Sequence, residues 1–266
     1  MLRDITLGQY YQTKSKMHDL DPRTKLVGTF VYLISLFIFT NAYVYIFAAC
    51  FLLMCVLISR IPPMYMIKGM KPIIFLLCFT LALSMLFTPG EAIFAIGKLT
   101  ITKEGVKQAL YMGARLTLLV MGSNMMTLTT TPARLTNGIE RLMRPLKLIK
   151  VPVHEIAMMM SIALRFIPIL MEETDRIMKA QLARGADFES GNLIKKAKSL
   201  VPVLVPLFIS AFRRANDLAM AMEARCYHGG KGRAQMKPLK YGVADLVAYV
   251  VLILYIAGII LIGKYL

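Results

Sequence analysis

The chain is poor in the residues that build metal centres and disulfide frameworks. Three of its four cysteines, Cys50, Cys55 and Cys78, lie inside apolar runs and Cys226 in a basic segment. That distribution suggests no disulfide framework and fits a reducing compartment. His154-Glu155 starts like a zinc-protease helix, but Met158 stands where the second histidine would have to be, so no metal pair forms. Gly229-Gly230-Lys231-Gly232 is glycine-rich, yet it lacks the strand, spacing and Lys-Ser/Thr end of a phosphate-binding loop. The acidic group Glu172, Glu173 and Asp175 has Arg176 and Lys179 within one turn, so a solvated face with ion pairs such as Glu172 to Arg176 explains it better than a metal cluster. These residues predict no catalytic, cofactor-binding or metal-ligating set. A membrane-embedded lipid-modifying enzyme, the rival from another class, would need a carboxylate or histidine cluster near a basic face, and the candidates fail.

Long polar tracts are missing too, and 57% of the 266 residues are hydrophobic, which is too apolar for an ordinary soluble domain. An integral membrane protein is predicted. No signal peptide is expected at the start, because residues 1–22 are polar and charged. Acidic residues are scarce, 15 against 32 Lys and Arg, giving a net charge of +17. In a membrane protein such an excess collects on cytoplasmic loops beside anionic lipid, so lipid rather than nucleic acid is the expected partner of the charge.

Taken in order, the chain predicts five crossings. Asp21 can cap a helix with Pro22 at its first position, and Arg23 and Lys25 hold that end inside. The nearly uncharged run 26–59 is too long for one crossing and divides at Thr40-Asn41. A third span covers 72–87 after a loop kept inside by Lys68 and Lys71, and a fourth covers about 108–130. Between them, residues 91–107 read as an interfacial loop or short helix. Arg115 in the fourth span snorkels to the outer interface or faces the protein interior, the first being favoured. Residues 131–240 carry 19 of the 32 basic and 9 of the 15 acidic residues yet keep broad apolar helix faces. That pattern predicts amphipathic helices at the membrane face: 132–144, 153–184, 192–199 and 202–225, with Pro168 a candidate kink. The last span is 246–262. The organisation is therefore all-α: an N-terminal segment and four spans in 1–130, a cytoplasmic-face helical domain in 131–240, and a C-terminal span in 241–266.

Two helix ends in that middle domain repeat one frame. Ala180-Gln181-Leu182-Ala183-Arg184-Gly185 and Ala221-Met222-Glu223-Ala224-Arg225-Cys226 each place one arginine between small residues. Small neighbours strip away bulk, so a planar, permanently charged guanidinium can enter a narrow groove lined with carboxylates or carbonyls. The simpler reading is an ordinary helix terminus, with a cation at the negative end of the dipole and glycine as the stop. A permease with its own substrate site would instead place polar residues at mid-span, where Ser123 and Asn124 are the few candidates, and helix bridging explains these as well. Methionine is abundant, 20 residues, with Met158, Met159, Met160, Met171, Met178, Met220 and Met222 in the two long helices. A methionine-rich face repacks around unlike partners.

Leu20-Asp21-Pro22-Arg23-Thr24-Lys25-Leu26, Leu164-Arg165-Phe166-Ile167-Pro168 and the pair Ala183-Arg184-Gly185 and Ala224-Arg225-Cys226 together resemble a known family over essentially the whole chain. It is the transmembrane T component of energy-coupling factor transporters, the CbiQ-like scaffold of bacterial vitamin and metal-ion importers. The resemblance implies a bacterial cell-membrane subunit, cytoplasmic at its N-terminus and coupling domain, that hydrolyses nothing itself. It implies two ATP-binding-cassette ATPase partners and a substrate-binding S component; the methionine-rich helices add the expectation that several such components exchange on one scaffold. It further implies that Arg184 and Arg225, flanked by Ala183, Gly185, Ala224 and Cys226, dock in grooves of the two ATPases. Cys226 departs from the glycine more common at its position.

Overall fold

The protein is described by a computed structural model covering residues 10–96, 99–188, 192–229 and 239–265. It is an all-α membrane protein with one small hairpin. In order come α1 (Lys16–Asp19), α2 (Pro22–Ile38), α3 (Ala42–Ser59), α4 (Pro63–Phe87), β1 (Ala92–Ile96), β2 (Leu99–Thr102), α5 (Lys103–Thr129) and α6 (Pro132–Leu142). A 3-10 turn (Arg144–Ile149), α7 (Val153–Ala183), α8 (Leu193–Ala224) and α9 (Val243–Tyr265) follow. The described residues form two compact units, residues 10–138 with 239–265, and residues 139–188 with 192–229.

In the first unit α2, α3, α5 and α9 share one core. Tyr32 and Leu36 from α2 meet Val44, Ala48 and Leu52 from α3, Leu118 from α5, and Leu252, Tyr255 and Ile259 from α9. Tyr255 stacks on Phe51 with ring centroids 4.2 Å apart, and its hydroxyl lies 2.9 Å from Ser35 Oγ, so the ring keeps its polar handle satisfied in an apolar setting. The α2 start follows its sequence signals: the Asp21 side chain accepts from Arg23 N at 2.9 Å, and Pro22 at the first helical position gives up an N–H that would be unpaired anyway.

Four expectations change. Within residues 91–107 a hairpin replaces the expected loop or short helix: β1 and β2 pair antiparallel, Phe94 opposite Ile101 and Ile96 opposite Leu99, with an irregularity between Ala92 and Phe94, and α5 begins at Lys103. β-branched Thr100, Ile101 and Thr102 suit an extended backbone. The hairpin then ends where Thr102 caps α5, accepting from Gly105 N at 3.0 Å and donating to the Thr88 carbonyl at 2.8 Å. Second, the Lys68 to Lys71 stretch is helical rather than a loop. It belongs to α4, which bends by 66° between Pro63–Lys71 and Ile73–Phe87, where Pro72 removes a helical N–H. Third, the stretches 192–199 and 202–225 are one helix. α8 runs through Pro202 and Pro206, because each proline deletes a single hydrogen bond while the apolar run continues on both sides.

Fourth, Arg115 lies in the fourth turn of α5, which starts at Lys103 and not at 108. It faces the protein rather than snorkelling: its Nε and Nη2 donate to Tyr45 Oη at 3.0 and 2.8 Å, beside the Phe37 ring.

Each of the five expected spans coincides with a helix. By length and composition α3, α9 and the bent α4 are apolar enough to cross, and so is α7, the least apolar of the three unbroken ones. The apolar stretch of α7 ends before Glu172, so its second half carries five charged residues where its first half carries two, Glu155 and Arg165.

Candidate functional site

Both arginine motifs close their helices in the same way. After α7, Gly185 N donates to the Leu182 carbonyl at 3.0 Å and Ala186 N to Gln181 at 3.0 Å. After α8, Cys226 N donates to Glu223 at 2.8 Å and Tyr227 N to Met222 at 3.0 Å. These are the paired six-to-one and five-to-two bonds of a helix that ends on a left-handed residue, and Gly185 (φ 85°) and Cys226 (φ 54°) supply it. The helix-terminus reading is thus correct as a statement about the backbone. It does not account for the side chains: Ala183, Arg184, Gly185, Ala224, Arg225 and Cys226 are all exposed. Among the described residues neither guanidinium has an ion-pair partner.

Cys226 therefore holds a conformation in which a Cβ is strained by roughly 1 kcal/mol. Cys226→Gly should raise the melting temperature slightly and leave partner recovery unchanged. A lower melting temperature in detergent would show that the thiol makes a contact that outweighs the strain.

Tertiary structure separates the two ends. Arg214 Nη2 donates to Glu173 Oε2 at 2.8 Å, and Gln181 Nε2 donates to the Pro202 carbonyl at 3.3 Å. Positions thus fall along α8 as they rise along α7, so the two helices run in opposite directions. Gln181 stands three residues from Arg184, and Arg225 is 23 residues beyond Pro202, roughly 35 Å of helix. The charged face of α7 pairs across to α8 through Glu173, and not within α7 from Glu172 to Arg176, because α8 places Arg214 against it.

His154 hydrogen-bonds Glu140 through Nδ1 at 2.9 Å. No group of three His, Cys, Asp or Glu able to hold an ion occurs among the described residues. Most of the glycine-rich stretch 229–232 lies outside them. Met159, Met160 and Met220 are exposed, and Met158, Met171, Met178 and Met222 are half-buried. Asn124 is half-buried with an unpartnered Nδ2 close under Gly69, and Ser123 bonds the Leu119 and Val120 carbonyls of its own helix.

Sequence reasoning missed the fastening behind the Leu20 to Leu26 motif. Asp21 N donates to Asp245 Oδ1 at 2.8 Å, and Gly242 N to Asp245 Oδ2 at 2.8 Å, tying the starts of α2 and α9 together. Arg23 grips the Asp21 carboxylate with Nε at 3.0 Å and Nη2 at 2.8 Å and lies 4.0 Å above the Tyr241 ring. Lys25, expected as a charge on the inner loop, is buried instead: its Nζ donates to the carbonyls of Thr129 (2.9 Å) and His18 (3.2 Å). His18 is held by Ser15 and the Tyr11 carbonyl, and burial, with Lys25 nearby, lowers its pKa from the ordinary histidine value. An acid in the first turn of an otherwise apolar last helix was the available signal for the fastening.

The geometry defines a helical membrane protein that presents two arginine-tipped helix ends. A family model described as a cobalt transport protein, CbiQ, matches residues 13–237. The chain is 53% identical to the energy-coupling factor transporter transmembrane protein EcfT of Clostridium kluyveri, over 93% of each chain. It is 51% identical to that of Thermosediminibacter oceani, over 94% of each, and 45% identical to that of Bacillus subtilis, over 97% of each. The chain belongs to this family and is a transmembrane subunit of an energy-coupling factor transporter.

Proposed function

We propose that this subunit couples two cytoplasmic ATP-binding-cassette ATPases to a separate substrate-binding membrane subunit, for bacterial uptake of vitamins or other micronutrients. It performs no hydrolysis itself. Arg184 and Arg225 each enter a groove of one ATPase, with Ala183, Gly185, Ala224 and Cys226 leaving room for the entry. Residues 131–240 form the coupling region on the cytoplasmic face of the cell membrane. The reading is supported above all by one observation: two exposed arginines each end a long helix, and the two helices run in opposite directions. Ends roughly 35 Å apart suit two ATPase chains better than one groove, and each helix would follow the ATPase that holds it when the pair closes. The exposed methionines of α7 and α8 suit a surface that accepts more than one substrate-binding subunit. Purification in mild detergent tests the proposal: two ATPase chains and a small membrane subunit should accompany the protein, and its isolation alone would refute it.

Orientation has its own test. With five crossings, a cysteine introduced at Lys14 is labelled from the cytoplasm and one at Lys264 from outside, on a cysteine-free background. Labelling of both positions from the cytoplasm would mean an even number of crossings and would overturn the five-span arrangement. External labelling at 14 would overturn the arrangement.

A further inference from the structure

A cavity of about 530 Å³ opens between α1, α2, α3, α5 and α9 in the first unit. That volume is in the range of sites that hold a small molecule. Its wall is almost wholly apolar, with Phe51, Leu52 and Ile58 of α3, Met125 and Met126 of α5, and Val247 of α9 among its lining. At one end stand Lys16 and Lys25. Lys16 is exposed, and Lys25 uses two of its three N–H groups on carbonyls, which leaves one.

The shape is long and parallel to the helices. From the lysine end the wall runs from Lys25 to Tyr32 on α2, from Ile58 to Phe51 on α3, from Thr129 to Gly122 on α5 and from Val243 to Leu252 on α9. Eight to ten residues of helix, seven to nine rises, cover about 10–14 Å, approaching half the roughly 30 Å hydrocarbon core. The cavity is therefore about one leaflet long, apolar along its length and cationic at one end. Two hydroxyls in the wall, those of Thr24 and Tyr32, are buried and have no partner among the described residues, so the wall also holds hydrogen-bonding groups that the protein does not satisfy.

The geometry points to a bound anionic phospholipid, one acyl chain lying in the cavity and its phosphate at Lys16 and Lys25. The lysines complement a negative headgroup, and a chain of one leaflet matches the length. A lipid is apolar along its chain and carries its negative charge at one end, the same order as the apolar wall and the two lysines.

Gly28 gives the means to close the site. It lines the cavity, and a Cβ added there meets nothing within 4 Å, so a larger side chain projects into open space and not into a neighbour. The test is native mass spectrometry of the full chain in mild detergent, with phosphatidylglycerol or phosphatidylcholine of matched chains added. Wild type should retain one phosphatidylglycerol and prefer it to phosphatidylcholine. Gly28→Phe should lose the retained lipid of either kind. Lys16→Ala should keep the cavity but lower the preference for phosphatidylglycerol about fivefold, the weight of one basic residue beside an anionic surface. If Gly28→Phe does not fold, Gly28→Leu is read in its place, and Lys16→Ala is read independently of both. A one-lipid adduct unchanged in a folded Gly28 variant, or equal retention of the two lipids by wild type, overturns the assignment. So does loss of a transporter subunit, with lipid retained, in the Gly28 variant, for it would give the groove to a protein helix.

Discussion

Alanine at both Arg184 and Arg225 should abolish recovery of the ATPases with this subunit, while either single change leaves a measurable complex. Both arginines are exposed in the subunit alone and, under the proposed docking, become desolvated against acidic or carbonyl groups of the partner. Removing one member of such a buried charge pair costs about 2–5 kcal/mol, which is roughly 30-fold or more in affinity. In a single variant the other helix still tethers the complex, and two attachments raise the effective concentration of the loosened one. That protection disappears in the double variant. With roughly 35 Å of helix between Pro202 and Arg225, each contact can be removed without disturbing the residues of the other, so the two are coupled only through the shared complex. Lysine should rescue only in part, because it keeps the charge and loses the planar fork. If the residues merely finish their helices, the charges are worth under about 1 kcal/mol and all variants assemble nearly normally. Quantitative pull-down of ATPase with Arg184→Ala, Arg225→Ala and the double variant separates the two, and wild-type recovery by the double variant ends the docking model.

Asp245→Ala should cost the first unit much of its stability although the residue lies far from either arginine motif in sequence. Its carboxylate is 3% exposed and accepts from Asp21 N and Gly242 N, both at 2.8 Å. Alanine leaves the N–H of Asp21, itself 5% exposed, without the Asp245 acceptor in a buried setting, at about 1–3 kcal/mol, whereas exposed Gly242 turns to water. It also frees the start of α9 from α2, the helices that Tyr255 and Ser35 join farther along. At about 2–4 °C per kcal/mol for a chain of this size, the melting temperature should fall by roughly 2–12 °C. Asp245→Asn keeps one oxygen acceptor and should retain most of the stability. The measurement is thermal unfolding in detergent, and an alanine variant that melts with wild type would show that the fastening is dispensable.

Hydropathy, capping and spacing are properties of neighbours in sequence, and what depends only on neighbours was legible without coordinates. The apolar runs gave the helical membrane class, and each expected span falls in a helix, of which α3, α9 and the bent α4 are long and apolar enough to cross. Asp21 and Pro22 marked the start of α2, and the two arginine frames marked the ends of α7 and α8 within a residue. Local signals were ambiguous where two local structures compete, as at Ala92–Thr102, where β-branched residues formed a hairpin, and at Pro202, which looked like a helix start and was an interior position.

The partners of polar side chains across the fold were decided by tertiary structure alone. Asp21 meets Asp245 over 224 residues, Lys25 meets Thr129 over 104, and Arg115 meets Tyr45 over 70. Each is a polar group that an apolar surrounding forces to find a partner, and sequence spacing carries no information about which distant group the packing brings within reach. The same reason separates the two arginines. Their frames are alike in sequence, but only the antiparallel contact of α7 with α8, fixed by Glu173 with Arg214 and Gln181 with Pro202, puts them at opposite ends.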